Sequence, residues 1–133
     1  MSAPTPYVLF PGTCREAMTT YHRIFGGELV LHTRADVQRT DEPLDAIGHG
    51  MLRGPATIYG ADVAEGEQPV RAEGLMLALL GAGDAEGAHR WFRELAAGGE
   101  VVDELQERQW GAWDGQVRDR FGLLWLVGYE PTA

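Results

Sequence analysis

The sequence predicts an α+β fold: two βαβββ modules whose eight strands form one curled, mixed sheet around a central cleft, with the helices outside. Three observations lead there. Two stretches, 13–25 and 84–97, carry apolar residues at helical spacing, and each runs through a Gly-Gly pair into an extended segment. Phe25-Gly26-Gly27-Glu28-Leu29-Val30 is echoed by Ala97-Gly98-Gly99-Glu100-Val101-Val102, which makes the chain two copies of one unit. The stretch 110–130 reads as strand, Gly-containing turn and strand, and its apolar run Leu123 to Tyr129 needs cover on both faces. One helix covers one face of a four-stranded sheet, so pairing the modules supplies the rest. The boundaries are about 1–62 for module one, 63–73 for a connector and 74–133 for module two, within a single domain.

Each element has its own reason. Tyr7 to Phe10 is an apolar run stopped by Pro11-Gly12, hence a strand. Thr13, followed three residues later by Glu16, is a capping box that starts a helix with Ala17, Met18, Tyr21, Ile24 and Phe25 along one stripe. Glu28 to Thr33 is the next strand, and 35–45 loses periodicity and reads as a loop, a candidate lid. Ala46 to Arg53 and Ala56 to Ala61 are strands joined by a hairpin at Gly54-Pro55. In module two, Leu75 to Leu80 is a strand, Asp84 caps a helix with Ala88, Trp91, Phe92, Leu95 and Ala96 on its stripe, and Val101-Val102 opens the following strand. Gln116 to Asp119 and Leu123 to Tyr129 close the chain as a hairpin around Arg120, Phe121 and Gly122.

Composition excludes several functions. The chain has 133 residues, 44% of them hydrophobic, and a net charge of -9, and its eleven basic residues are all arginine, scattered singly. A basic footprint for nucleic acid or an anionic membrane is missing. The lone Cys14 forms no internal disulfide, no apolar run reaches membrane-spanning length, and the first residues lack a signal peptide's pattern, so a cytoplasmic protein is expected.

Pro6-Tyr7-Val8-Leu9-Phe10, Cys14-Arg15-Glu16-Ala17, Tyr21 with Phe25-Gly26-Gly27-Glu28, and Trp110-Gly111 followed by Gly115, Asp119, Phe121-Gly122 and Trp125 together resemble the vicinal oxygen chelate superfamily of glyoxalase I, bleomycin-resistance proteins and extradiol dioxygenases, and its PhnB-like branch in particular. The resemblance spans nearly the whole chain. It implies a divalent metal held by histidine and carboxylate ligands from the first and last strands of each module. This chain departs from that pattern. The face of the first strand assigned to the cleft carries Pro6, Val8 and Phe10, the opening strand of module two offers Gly74, Met76 and Ala78, and Leu126 lies about where the metal-binding glutamate would be. Apolar side chains do not bind zinc, nickel or magnesium, so no metal and no other cofactor is expected.

The candidate site follows from alternation. His49 shares a face of its strand with Ile47, Met51 and Arg53, opposite Gly48, Gly50 and Leu52, and is the best candidate for an acid-base group. Gln116 and Arg118 bring polar groups from the penultimate strand, and Met51, Tyr59, Met76, Trp110 and Trp113 supply apolar and aromatic walls. Trp125 belongs to the core. Cys14 at a first helical turn is read as buried packing, His22 and His89 as surface residues beside the helix stripes, and Glu130 as a solvated terminal carboxylate or a relocated ligand. The expected function is metal-free binding of a small, partly aromatic molecule, with Arg53 or Arg118 holding an acidic group. The alternative is lyase, isomerase or dioxygenase chemistry with relocated ligands such as His49 and Glu130, or proton transfer by His49 without a metal. A methyltransferase is disfavoured, because no glycine-rich nucleotide loop follows a strand. A homodimer is expected, since sheet edges and exposed tryptophans favour pairing and relatives of this type commonly pair.

Overall fold

Residues 3–131 are described by a computed structural model. Their elements run β1 (Tyr7–Phe10), α1 (Cys14–Phe25), β2 (Glu28–Thr33), β3 (Ile47–Arg53), β4 (Ile58–Asp62), β5 (Leu77–Leu80), α2 (Ala85–Ala96), β6 (Glu100–Glu107), β7 (Trp113–Arg118) and β8 (Leu124–Tyr129). This is βαβββ twice, in the α+β class. The strands divide between two four-stranded mixed sheets, ordered β1-β4-β3-β2 and β5-β8-β7-β6, and the chain separates into units 1–70 and 71–133. Within the connector stretch, the Val70 amide donates to the Leu9 carbonyl in the first unit, while the Ala72 carbonyl accepts from Arg118 in the second.

In the first unit β1 and β4 are parallel, and the other pairs are antiparallel. α1 lies on β2, β3 and β4 and buries Ala17, Met18, Tyr21, Ile24 and Phe25, the stripe its spacing predicts. Val8, Phe10, Ile47, Leu52 and Ile58 are buried with it. Each of these larger side chains contributes roughly 1.5 to 3 kcal/mol. Two sequence expectations change here. Val8 and Phe10 belong to this packed face, and Tyr7 and Leu9 occupy the other one, because Tyr7 pairs with Tyr59 and the Phe10 ring lies beside Gly60. Ile47 does not share a face with His49. His32 pairs with His49 and Thr33 with Ile47, so Gly48 is an extra residue, and this bulge turns Ile47 under the helix.

The start of α1 is a third correction. Thr13 stands at the cap position without a side-chain cap hydrogen bond. The buried carboxylate of Asp62, at the end of β4, accepts from the Cys14 amide at 2.9 Å and from the Ile47 amide at 2.9 Å. It serves as a cap brought in from 48 residues away. The loop 35–46 is tied to its surroundings by Arg34, which is 4% exposed and donates to the carbonyls of Glu42 and Val63.

The second unit repeats the frame with β5 and β8 parallel. Leu79, Val117, Trp125 and Val127 are buried with Ala88, Trp91, Phe92 and Leu95 of α2, and Trp125 is core as its alternation requires. Asp84 caps α2 as predicted, accepting from the Gly87 amide at 2.7 Å. β5 begins at Leu77 rather than Leu75, and β7 begins at Trp113 rather than Gln116. Asp119, 5% exposed, gathers the amides of Phe121 and Leu123 and the indole N–H of Trp125, which fixes the turn between β7 and β8. Both units lock the entry to their second strand with a glycine. A Cβ on Gly27 would stand 2.3 Å from the Arg53 carbonyl oxygen, and one on Gly99 would stand 2.2 Å from that of Arg118.

Candidate functional site

On the face of the first sheet away from α1, pairing in register brings side chains of β1, β4 and β3 together. Tyr7 pairs with Tyr59, and Tyr59 pairs with Met51. The Tyr7 hydroxyl and His49 Nδ1 are 2.9 Å apart, and their rings stack with centroids 5.6 Å apart. His49 meets the Tyr59 ring edge-on at 6.0 Å. Arg53 donates through Nε to the Tyr59 hydroxyl at 3.1 Å and through Nη2 to the Met51 sulfur at 3.5 Å, with its guanidinium carbon 5.5 Å from the Tyr59 centroid. Four of the sequence-chosen residues, His49, Met51, Arg53 and Tyr59, thus form one cluster, and the structure adds Tyr7. Partial burial, more than the neighbouring Cys14, holds the Tyr7 phenol above the ordinary tyrosine value, so it carries its proton at neutral pH. The cluster offers two aromatic faces, an imidazole and a guanidinium. Two of the five arginine N–H groups are used in the bonds just named, and a carboxylate takes donors of this kind in pairs.

The candidates of the second unit do not gather in one place. Trp113 pairs with Tyr129 on the α2 side of the sheet, and Gln116 and Arg118 lie on the opposite side, paired with Leu126 and Leu124. Arg118 spends Nη1 on the carbonyls of Ala72 and Gly122, both at 3.1 Å, which is a structural use of its charge. Met76 precedes β5 and is exposed. Trp110 and Trp113 do share a pocket of about 860 Å³, with Leu80, Tyr129, Glu86 and Glu130 also in its lining. His89, expected at the surface, is half-buried here. Its Nε2 lies 2.9 Å from the Tyr129 hydroxyl, and its ring meets Trp113 at 5.4 Å and Tyr129 at 5.5 Å, while Trp113 and Tyr129 stack at 5.8 Å. Alternation held the signal for Tyr129, which continues the buried series Trp125 and Val127. His89 sits one residue after Ala88, off the predicted stripe, and only the tertiary fold reveals it. His22 is half-buried as well, with Nε2 3.1 Å from the Gly27 carbonyl at the end of α1.

Cys14 is fully buried. Burial, and then the adjacent Asp62 carboxylate, push its thiol up to about 12, overriding any help from the helix start. Among the described residues no group of three or more His, Cys, Asp or Glu side chains is placed to hold an ion, and His49 already has its Nδ1 against Tyr7. Glu130 is exposed just beyond β8. No helix among the described residues is long and apolar enough to cross a membrane.

Comparison with known proteins gives a consistent picture. The family model described as Glyoxalase/Bleomycin resistance protein/Dioxygenase superfamily matches residues 5–127. The chain is 29% identical to the Protein YjdN of Escherichia coli (strain K12), over 96% of this chain and 97% of that protein. The crystal structure of protein PA1353 from Pseudomonas aeruginosa superposes with a TM-score of 0.87 at 31% identity, covering 98% of each chain. A Bacillus cereus PhnB protein, titled a putative 3-demethylubiquinone-9 3-methyltransferase, shares the fold with a TM-score of 0.76 at 18% identity, over 96% of this chain and 99% of that one.

Proposed function

This chain belongs to the glyoxalase/bleomycin resistance protein/dioxygenase superfamily, and on that premise we propose that it binds a small, partly apolar acid on the first unit's sheet, without a catalytic metal. One observation carries the reading: the Tyr7, His49, Tyr59 and Arg53 cluster, in which aromatic faces and a guanidinium are held together by named hydrogen bonds. A planar acid stacks on the rings and places its carboxylate on Arg53. The methyltransferase name of the Bacillus protein is not carried over, because at 18% identity that likeness shows the fold alone.

A thermal-shift screen of small metabolites and antibiotics, with and without divalent metals, finds the ligand class. Calorimetry with benzoate as the probe then tests the residue: Arg53→Gln weakens binding roughly ten- to a hundredfold, the loss of a charge-assisted hydrogen bond. Unchanged affinity in that variant rejects the reading. So does one equivalent of divalent metal per purified chain that disappears on mutation of His49 or Glu130.

The Tyr7 and His49 contact favours a second reading, a proton-transfer enzyme that needs no metal. Under it, His49→Gln abolishes turnover of whatever the screen identifies yet keeps its binding. Under simple binding there is no turnover to lose.

A further inference from the structure

The second unit's pocket has the size of a small-molecule site, about 860 Å³. Its wall is aromatic. Trp113 and Tyr129 are stacked and are held from behind by His89, so their faces are fixed in place before any ligand arrives. Trp110 stands beside them, 73% exposed, a large ring left in water at the rim. The charge lining this space is of one sign. Asp84, Glu86, Asp114 and Glu130 line it, and among the described residues no arginine or histidine does.

The four carboxylates are not equivalent. Asp114 is already paired with Arg108 at 2.7 Å, and Asp84 accepts from the Gly87 amide. Asp84 therefore covers the positive end of α2, which would otherwise favour an anion. Glu86 and Glu130 are exposed and supply the pocket's uncompensated charge. Aromatic faces attract cations through their quadrupoles, and carboxylates at the rim add to that attraction. The chain's net charge of -9 draws cations toward the surface in the same sense.

We infer that this pocket is a second binding site, selective for an organic cation that carries an alkylated or aromatic ammonium group. The site is independent of the anion-binding reading for the first unit, and its ligand is opposite in sign.

Phenyltrimethylammonium and its uncharged isostere tert-butylbenzene are the probes, titrated by tryptophan fluorescence and checked by calorimetry. The cation should quench saturably and bind at least about tenfold more tightly than the isostere, with affinity falling as salt rises. Trp110→Ala, at an exposed position that does not support the fold, should weaken the cation about tenfold. The double variant Glu86→Gln with Glu130→Gln should do the same, while Arg53→Gln should leave it unchanged. Equal affinity for tert-butylbenzene, or indifference to both pocket variants, overturns the inference. Benzoate binding that responds to Arg53→Gln but not to Trp110→Ala keeps the first site standing whatever happens here.

Discussion

The two units start their helices in different ways. α2 begins with Asp84, whose carboxylate reaches an amide three residues on. α1 begins with Thr13, whose side chain caps nothing, and the task passes to Asp62 on β4, a neighbour only in the folded state. The same frame can thus be closed by a local bond or by a distant one. The distant one does more, because Asp62 also holds the first residue of β3 at the point where Gly48 is bulged out. In the second unit a buried carboxylate lies at a different point of the frame: Asp119, just after β7, holds a turn and the core tryptophan.

The sharpest difference to measure is at the first residue of each helix, Cys14 in α1 and Ala85 in α2. With its thiol pushed up to about 12, Cys14 should react with a disulfide reagent at pH 8 about a thousandfold more slowly in the native protein than after unfolding. The native state keeps its thiol proton where the unfolded state has lost it. Cys14 therefore contributes stability below its ordinary value of 9.0 that is lost as pH rises toward about 12. Fast labelling of the native protein at pH 8 would break the account of this helix start.

Asp62→Ala comes next. It strands two buried amides, at Cys14 and Ile47, and should cost roughly 3 to 5 kcal/mol in urea unfolding. A loss near that of an exposed cap would show that water replaces the carboxylate. Smallest is the pair of local caps: Asp84→Ala should cost about 1 kcal/mol, and Thr13→Ala less than about 0.5 kcal/mol, as for a surface substitution. Equal losses at the two positions would restore the capping box at Thr13 and erase the distinction between the units.

What could be read from the sequence followed the same division between local and distant. The stripes of α1 and α2, the Asp84 cap and the buried place of Trp125 depend on spacing along the chain, and the residues that set them are visible there. Alternation alone misplaces the faces of β1 and the end of β3, because a period of two has no origin of its own. One bulged glycine or one parallel partner decides it, and Gly48 and the pairing of Tyr7 with Tyr59 are facts of the sheet. Of the cluster, His49, Met51, Arg53 and Tyr59 are legible because they lie on one short hairpin. Tyr7 arrives from the far edge through a parallel ladder, and His89 reaches Tyr129 across 40 residues. Neither was visible to local reasoning. Gln116 and Arg118 do not join Trp113, because β7 starts at Trp113 and gives Trp113 and Gln116 opposite parity within the strand.

The glycine joint at Gly27 and Gly99 bears on how this protein can be altered by design. In each unit a side chain at that point would drive into a backbone carbonyl, that of Arg53 in one and Arg118 in the other. Repacking a side chain relieves no such clash, so a mutational library that varies either glycine spends its members on misfolded chains. Along the same strands Gly128 is held in the same way by the Trp113 carbonyl, while Met51, Tyr59, Gln116 and Leu126 already carry side chains on the faces away from the helices. Positions such as Met51 and Tyr59, or Gln116 and Leu126, can be randomised while both joints stay fixed, so specificity can be rewritten in one unit with the other as an unaltered internal control.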